Sequence, residues 1–402
     1  MDPVFFIKGG FLCDEMGVGK TLQLIATSIL HYLPHTLVVL PLPLLQQWKQ
    51  QIQHLTGHTP LVYHGNNKKK ISTKELTNAP IVLTTYHALL HQKGTIQHPL
   101  FSLSWSRIIF DEAHHLRNPT KLWAAAARIG KLSSIVWLVT GTPVQNKSED
   151  LQRLCSILGV SLSGKEEPRE QIKRILLKRT KAEVGIDIPP MSIHTVQLPW
   201  TNEEEKQLSE TMHSLLQSAS QFEKLKYYTL AKQVCILPSL VNLLDENIPT
   251  CYHSSKLDAV FLSMEEYAPS RSKGALVFCH FQKEMEWLHQ KWTEKGYTAA
   301  IIDGSLSLTQ RQTILSSKYD VLLLQIRIGC EGLNLQEHYS DIYFISPHWN
   351  PAVEAQSIAR CFRYGQTETV RVFRFYMDTL ACSNSMDAYI LSLQNHKISL
   401  FV

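Results

Sequence analysis

The 402-residue chain is 44% apolar, which suits a soluble globular protein of two domains, each with its own core. Its formal net charge of +5 permits a polyanionic partner without demanding one. The cysteines (Cys13, Cys155, Cys235, Cys251, Cys279, Cys330, Cys361 and Cys382) form no CxxC pair or zinc-finger spacing, the start MDPVFFIKGGFL has no basic leader, and no apolar run reaches about 18 residues. We therefore expect a reducing compartment, no disulfide framework, no metal–cysteine site and no membrane-spanning helix.

The first element with chemical content is FLCDEMGVGKTLQ at 11–23. Gly17 and Gly19 let successive backbone N–H groups face a polyphosphate. Lys20 can reach the β- and γ-phosphates and Thr21 can ligate Mg²⁺, in a loop formed by Asp14, Glu15, Met16, Gly17, Val18, Gly19, Lys20 and Thr21. The strict GxxxxGK[ST] pattern wants glycine at position 14, and Asp14 stands there. A helix follows from Thr21.

Apolar runs rich in β-formers come next: TLVVLP at 36–41, LVYH at 61–64, IVLTTY at 81–86, RIIFDEA at 107–113 and IVWLVTGTP at 135–143. Helical spacings separate them, so a parallel sheet covered on both faces is predicted. The run Lys68-Lys69-Lys70 reads as a solvated loop. Asp111-Glu112 closes an apolar strand: Asp111 can hold Mg²⁺ and Glu112 can activate or position a water. Residues 201–246 have helical periods and no convincing strand. Alternation resumes with ALVFCH at 275–280, TAAIID at 298–303, VLLLQI at 321–326, DIYFIS at 341–346 and VRVFRFYM at 370–377. The fold class expected is α/β with two parallel-sheet lobes: 1–200, a helical insert and linker at 201–254, and 255–402.

The stretches DEMGVGKTLQ, LTTY, DEAHHLRN, VTGTPVQN, HWNPAVEAQ and SIARCFRYGQT, in that order, resemble the Swi/Snf family of ATP-dependent DNA translocases in helicase superfamily two. LVVLPLPLLQQW, LLKRTKAEV, AKQVCILPSLV, SSKLDAV and IIDGSLSLTQRQ fill the gaps, so the resemblance spans nearly the whole chain. It is nearest to the branch that often carries a RING insert, for which the cysteines here are too sparse. The resemblance implies two RecA-like lobes, ATP with Mg²⁺ between them, and double-stranded DNA across their top. Family members track along duplex DNA and remodel nucleosomes, displace DNA-bound proteins or reverse forks. A monomer with no membrane contact, in the nucleus or at a viral replication site, is the corresponding expectation.

Within that resemblance, Thr140 and Thr142 couple the γ-phosphate site to DNA, or simply close a strand. Thr84 and Thr85 either meet DNA phosphates or are ordinary strand residues. Arg117 and Asn118 imply a backbone contact, with Gln145 and Asn146 as weaker candidates. Asn334 of EGLNL faces nucleotide and DNA. Trp349 faces DNA or anchors a helix from the core. Asn350-Pro351 can open a helix and Gly365 end it, placing Gln356, Arg360 and Arg363 in one stripe at i, i+4 and i+7. Ala352, Ala355, Ile358, Ala359 and Phe362 would pack its other faces. The resemblance aims the two arginines at the γ-phosphate.

Two departures stand out. Ile328-Gly329-Cys330 stands where the family usually has Ala-Gly-Gly, with Glu331 adding an acid near the phosphates, and no glutamine for reading adenine precedes the phosphate loop. These leave a catalytically weak DNA-binding scaffold as a rival. A strand-separating helicase of the DEAH type is the other rival, disfavoured by HWNP and RYGQT.

Overall fold

The computed structural model describes residues 8–90, 98–141, 148–160, 168–243, 251–270, 272–329, 333–381 and 383–399. The chain divides into two compact units, Met1–Asp187 and Ile188–Val402. In the first, the strands are β1 (Gly9–Leu12), β2 (Thr36–Leu40), β3 (Leu61–Tyr63), β4 (Ile81–Thr85), β5 (Trp105–Asp111), β6 (Ser133–Val139) and β7 (Leu176–Leu177). They lie in the order β3-β4-β2-β5-β6-β1-β7, paired in parallel throughout.

Side chains alternate across a strand, so successive residues feed opposite cores. Phe11, Leu37, Val39, Ile108 and Phe110 face one core with Ala126 and Ile129 of the helix Lys121–Gly130. Leu12, Val38, Leu40 and Ile109 face the other, with Leu24 and Ile25 of the helix Lys20–Leu30 and Trp48 and Ile52 of the helix Leu45–Thr56. Each fully buried Leu, Ile, Val or Phe among them contributes about 1.5–3 kcal/mol relative to exposure. Both faces are covered, so the strands read as continuous apolar runs.

The second unit's sheet comprises β8 (Met191–Leu198), β9 (Gly274–Cys279), β10 (Ala299–Ile302), β11 (Val321–Gln325), β12 (Tyr339–Phe344) and β13 (Val370–Met377), in the order β10-β11-β9-β12-β13-β8. It too is parallel. The α/β class with two parallel-sheet lobes is therefore as expected.

The expected boundary at residue 200 is corrected. β8 pairs with β13 along its whole length, from Met191 opposite Val370 to Leu198 opposite Met377, and so belongs to the second unit. Nor is 201–254 a free-standing insert. Ala231, Cys235 and Leu237 share a core with Leu257, Val260, Val277 and Tyr343. The described cysteines Cys13, Cys155, Cys235, Cys251, Cys279 and Cys361 are buried free thiols. Lys256 and Asp387, both fully buried, form an ion pair. Ser346 Oγ (2.5 Å) and the Met377 amide (3.0 Å) also donate to Asp387, fastening the helices Ser255–Tyr267 and Met386–Ser399 to β13. Removing one partner would strand a buried charge, at a cost on the order of 3–5 kcal/mol. Among the described residues no helix is long and apolar enough to cross a membrane.

Candidate active site

In a parallel sheet the carboxyl ends of the strands share one edge, where side chains from separate loops converge. β1 and β5 flank β6, so the glycine–lysine loop after β1 and the acidic pair ending β5 lie on that edge one strand apart. Gly17 (φ 88°) and Gly19 (φ 91°) are left-handed, a conformation that glycine adopts without steric cost. Gly19 precedes the helix Lys20–Leu30, whose first amides have no partner within the helix. Thr21 is half-buried in its first turn.

Lys20 Nζ donates to the carbonyls of Asp14 (2.8 Å) and Glu15 (3.3 Å). Burial lowers its pKa, while the carboxylates of Glu112 and Asp111 pull it back up. Those acids and the ammonium are thus electrostatic neighbours. Thr140 leaves β6 between them, buried, its amide bonded to the Leu12 carbonyl (3.1 Å). A Cβ on Gly141 would stand 2.8 Å from Met16 Cε, so Met16 lies against this turn.

Asp111 is held from three sides. Trp48 Nε1 donates to Oδ2 (2.7 Å), the Glu112 amide to Oδ1 (2.9 Å), and the Tyr86 hydroxyl to its carbonyl (2.6 Å). Burial, then the charge of Glu112, raises its pKa. A cation at this carboxylate relieves both effects, so the donor set of Asp111 and Thr21 fits Mg²⁺. Glu112 has φ 50° and ψ 49°, a left-handed backbone that non-glycine residues adopt at a cost of order 1–3 kcal/mol. His114 Nδ1 lies 3.2 Å from its Oε2. Trp48 and Tyr86 were quoted in motifs but given no role; the signal available was that a buried indole or phenol needs a partner for its polar tip.

Asp14 and Glu15 are corrected as phosphate-loop ligands through their side chains. Arg179 donates to the fully buried Asp14 from Nη2 (2.6 Å), Nε (3.2 Å) and its backbone amide (3.0 Å). Gln23 bonds both of them, at 3.2 Å and 2.7 Å. Lys181 donates to Glu15 from Nζ (2.6 Å) and from its amide (2.9 Å). Burial alone would raise the pKa of Asp14, but the Arg179 and Gln23 hydrogen bonds win and lower it. The position that wants glycine in the strict motif thus carries an anchor.

The threonine–DNA expectation is also corrected. Thr84 is fully buried with its hydroxyl donating to the Tyr63 carbonyl (2.8 Å), and Thr85, nearly so, bonds His64 Nδ1 (3.1 Å). Both hydroxyls are spent inside the sheet. Arg117 is half-buried, its Nε donating to the His114 carbonyl (2.7 Å), and Asn118 beside it is exposed. Thr142, Gln145, Asn146, Cys330 and Glu331 lie outside the described residues.

In the second unit, Asn350 caps a helix from Pro351 as expected, its side chain accepting from the Ala352 amide (3.1 Å). The helix ends at Ile358, not Gly365, so the predicted stripe does not form. The carbonyls beyond it are taken elsewhere. That of Arg360 accepts from the Leu335 amide (3.1 Å) and that of Cys361 from Gln366 Nε2 (3.2 Å). Gln356 is buried and Ala355 exposed, the reverse of the expected faces. Arg360 Nε folds back onto the Gln356 carbonyl (3.2 Å). Arg363, on the turn, donates to the exposed Asn334, which brings those two candidates together. Burial, then the charge of Arg360, lowers the pKa of Arg363 to about 10. Trp349 is partly buried, edge-on to Tyr228 (5.8 Å) and Tyr389 (6.4 Å), and lines a cavity of about 650 Å³ with them, Lys232 and Arg327. This packing fits the core-anchor alternative for Trp349.

Known proteins resemble this chain in sequence. Residues 6–168 match the SNF2-related domain and residues 256–365 the helicase conserved C-terminal domain. A "probable global transactivator" of Orgyia pseudotsugata multicapsid polyhedrosis virus is 26% identical, over 97% of this chain and 86% of its own length. Mouse chromodomain-helicase-DNA-binding protein 6 is 27% identical over 91% of this chain, which spans only 16% of that protein. The Sulfolobus solfataricus SWI2/SNF2 ATPase core solved with double-stranded DNA is 24% identical, over 98% of this chain and 91% of that one, at a TM-score of 0.42. With both domains present in order, and with the lysine and acidic pair placed as above, the chain belongs to the Swi/Snf family of ATPases in helicase superfamily two.

Proposed function

We propose that the protein hydrolyses ATP in a DNA-stimulated manner and uses it to translocate on double-stranded DNA, remodelling nucleosomes or displacing other DNA-bound proteins. The observation that carries this reading is the convergence of Lys20, two left-handed glycines and Asp111-Glu112 on one sheet edge. Lys20 and the loop amides bind the phosphates, and Glu112 holds or deprotonates the attacking water. Thr21 and Asp111 would hold Mg²⁺, which shields phosphate charge when bound. The two family domains support a nucleic-acid-coupled ATPase, and the viral and chromatin-associated relatives support a site of action in the nucleus or at a viral replication site.

Steady-state ATP hydrolysis with and without duplex DNA tests the reading, alongside triplex displacement and strand displacement. Stimulation by duplex with triplex displacement alone is expected. Strand separation would point to a DEAH-type helicase, and absent turnover to a scaffold.

DNA affinity is expected to fall steeply with salt and to vary little with sequence, because such contacts are mostly to phosphates. Arg117→Ala should weaken every duplex alike and flatten the log–log salt slope by about one unit. Titrations at several salt concentrations on two unrelated duplexes check this. A sequence preference that survives high salt would count against it.

A further inference from the structure

We infer that Arg179 and Lys181 are positioning residues of the nucleotide site: through Asp14 and Glu15 they hold the backbone carbonyls that fix the Lys20 ammonium. The inference rests on the ATP reading above. Its basis is a continuous set of bonds. The Arg179 guanidinium forks onto the fully buried Asp14 carboxylate, and Gln23 closes the ring by bonding both. Lys181 grips Glu15 through Nζ and its amide. Backbone pairing extends β1 beyond its end: the Cys13 amide donates to the Leu177 carbonyl (2.7 Å) and the Glu15 amide to the Arg179 carbonyl (2.8 Å).

Asp14 and Glu15 are thus immobilised through side chain and main chain. Their carbonyls are the ones Lys20 Nζ uses. Loosening them moves the ammonium that must meet the phosphates. A lysine in place of Arg179 keeps the charge but cannot fork onto one carboxylate.

The segment also leads out of the first unit. Thr180 donates to Glu183 from its amide (2.6 Å) and hydroxyl (2.9 Å), and the Ile186 amide donates to the Lys181 carbonyl (3.0 Å). This turn closes at Ile186, one residue before the unit ends at Asp187. The chain that runs on toward the second sheet is therefore fastened directly to the phosphate loop.

The test uses the full chain and a slowly hydrolysed ATP analogue, with KM and kcat measured in parallel. Arg179→Lys, Glu15→Gln and Lys181→Met should each weaken analogue binding and raise the KM for ATP roughly tenfold, with kcat largely kept. The double variant Glu15→Gln/Lys181→Met should be no worse than the weaker-binding single, since both remove one interaction. A purely structural role would instead lower the melting temperature and the active fraction, hence kcat, at unchanged KM. Additive losses, or variants that bind as well as the wild type, overturn the clamp alone. A wild type that binds no ATP analogue overturns the nucleotide reading with it.

Discussion

Glu112→Gln should still bind ATP but lose hydrolysis by about 10²–10⁴-fold, the range for removal of a general base. The amide matches the carboxylate in shape but cannot take a proton from water. Glu112 is offered to the site by a left-handed backbone at the end of β5, so side-chain direction is set by main-chain geometry that the substitution leaves alone. Asp111 keeps its bonds from Trp48, Tyr86 and the residue 112 amide, so the cation and phosphate contacts survive. Lys20→Ala should behave oppositely and weaken ATP binding itself. Single-turnover hydrolysis and analogue affinity on both variants separate the two roles. Equal hydrolysis in wild type and Glu112→Gln would remove Glu112 from the chemistry.

Arg363→Lys should lose roughly 10³–10⁵-fold in turnover while nucleotide and DNA binding largely persist, as expected for an arginine that stabilises transition-state charge. A guanidinium can bridge two phosphate oxygens, whereas an ammonium meets them as a point charge. Arg363 projects from a turn rather than a helix, oriented by Asn334, and the neighbouring Arg360 makes the region strongly cationic. An anion arriving there relieves that repulsion. Arg360→Lys should cost less, because its Nε is bound back to the Gln356 carbonyl. Near-normal turnover in both lysine variants, measured at saturating ATP and duplex, would make the pair a surface feature.

Much of this was legible because it is local. TLVVLP, IVLTTY and VRVFRFYM are long apolar runs and became β2, β4 and β13. The glycine–lysine loop and the acidic pair were readable because phosphate and cation chemistry dictate both residue type and spacing. What escaped depends on partners far away in sequence. Arg179 meets Asp14 across 165 residues and Trp48 meets Asp111 across 63. β1, GGFL, carries two glycines, and β7 has two residues, too few to show a period. Thr84 and Thr85 were left between two roles because residue type does not say whether a hydroxyl faces the sheet interior. The helix from Pro351 stopped early because the amides of Arg360 and Cys361 turn to carbonyls three residues back and that of Arg363 to Cys361, a tightening that no helical periodicity reveals.

The placement of β8 bears on how the protein can be divided. A fragment begun at residue 201 would omit Met191–Leu198 and leave all eight residues of β13 without a neighbour on that side. Such an edge, with Val372, Phe373 and Phe375 buried along it, is a template for pairing with another chain. Severed there, the second half would be prone to stick to itself and would give a poor account of its own behaviour. A cut at 187–188 keeps the bordering strand, so binding measured on that piece would report the folded lobe rather than an exposed seam.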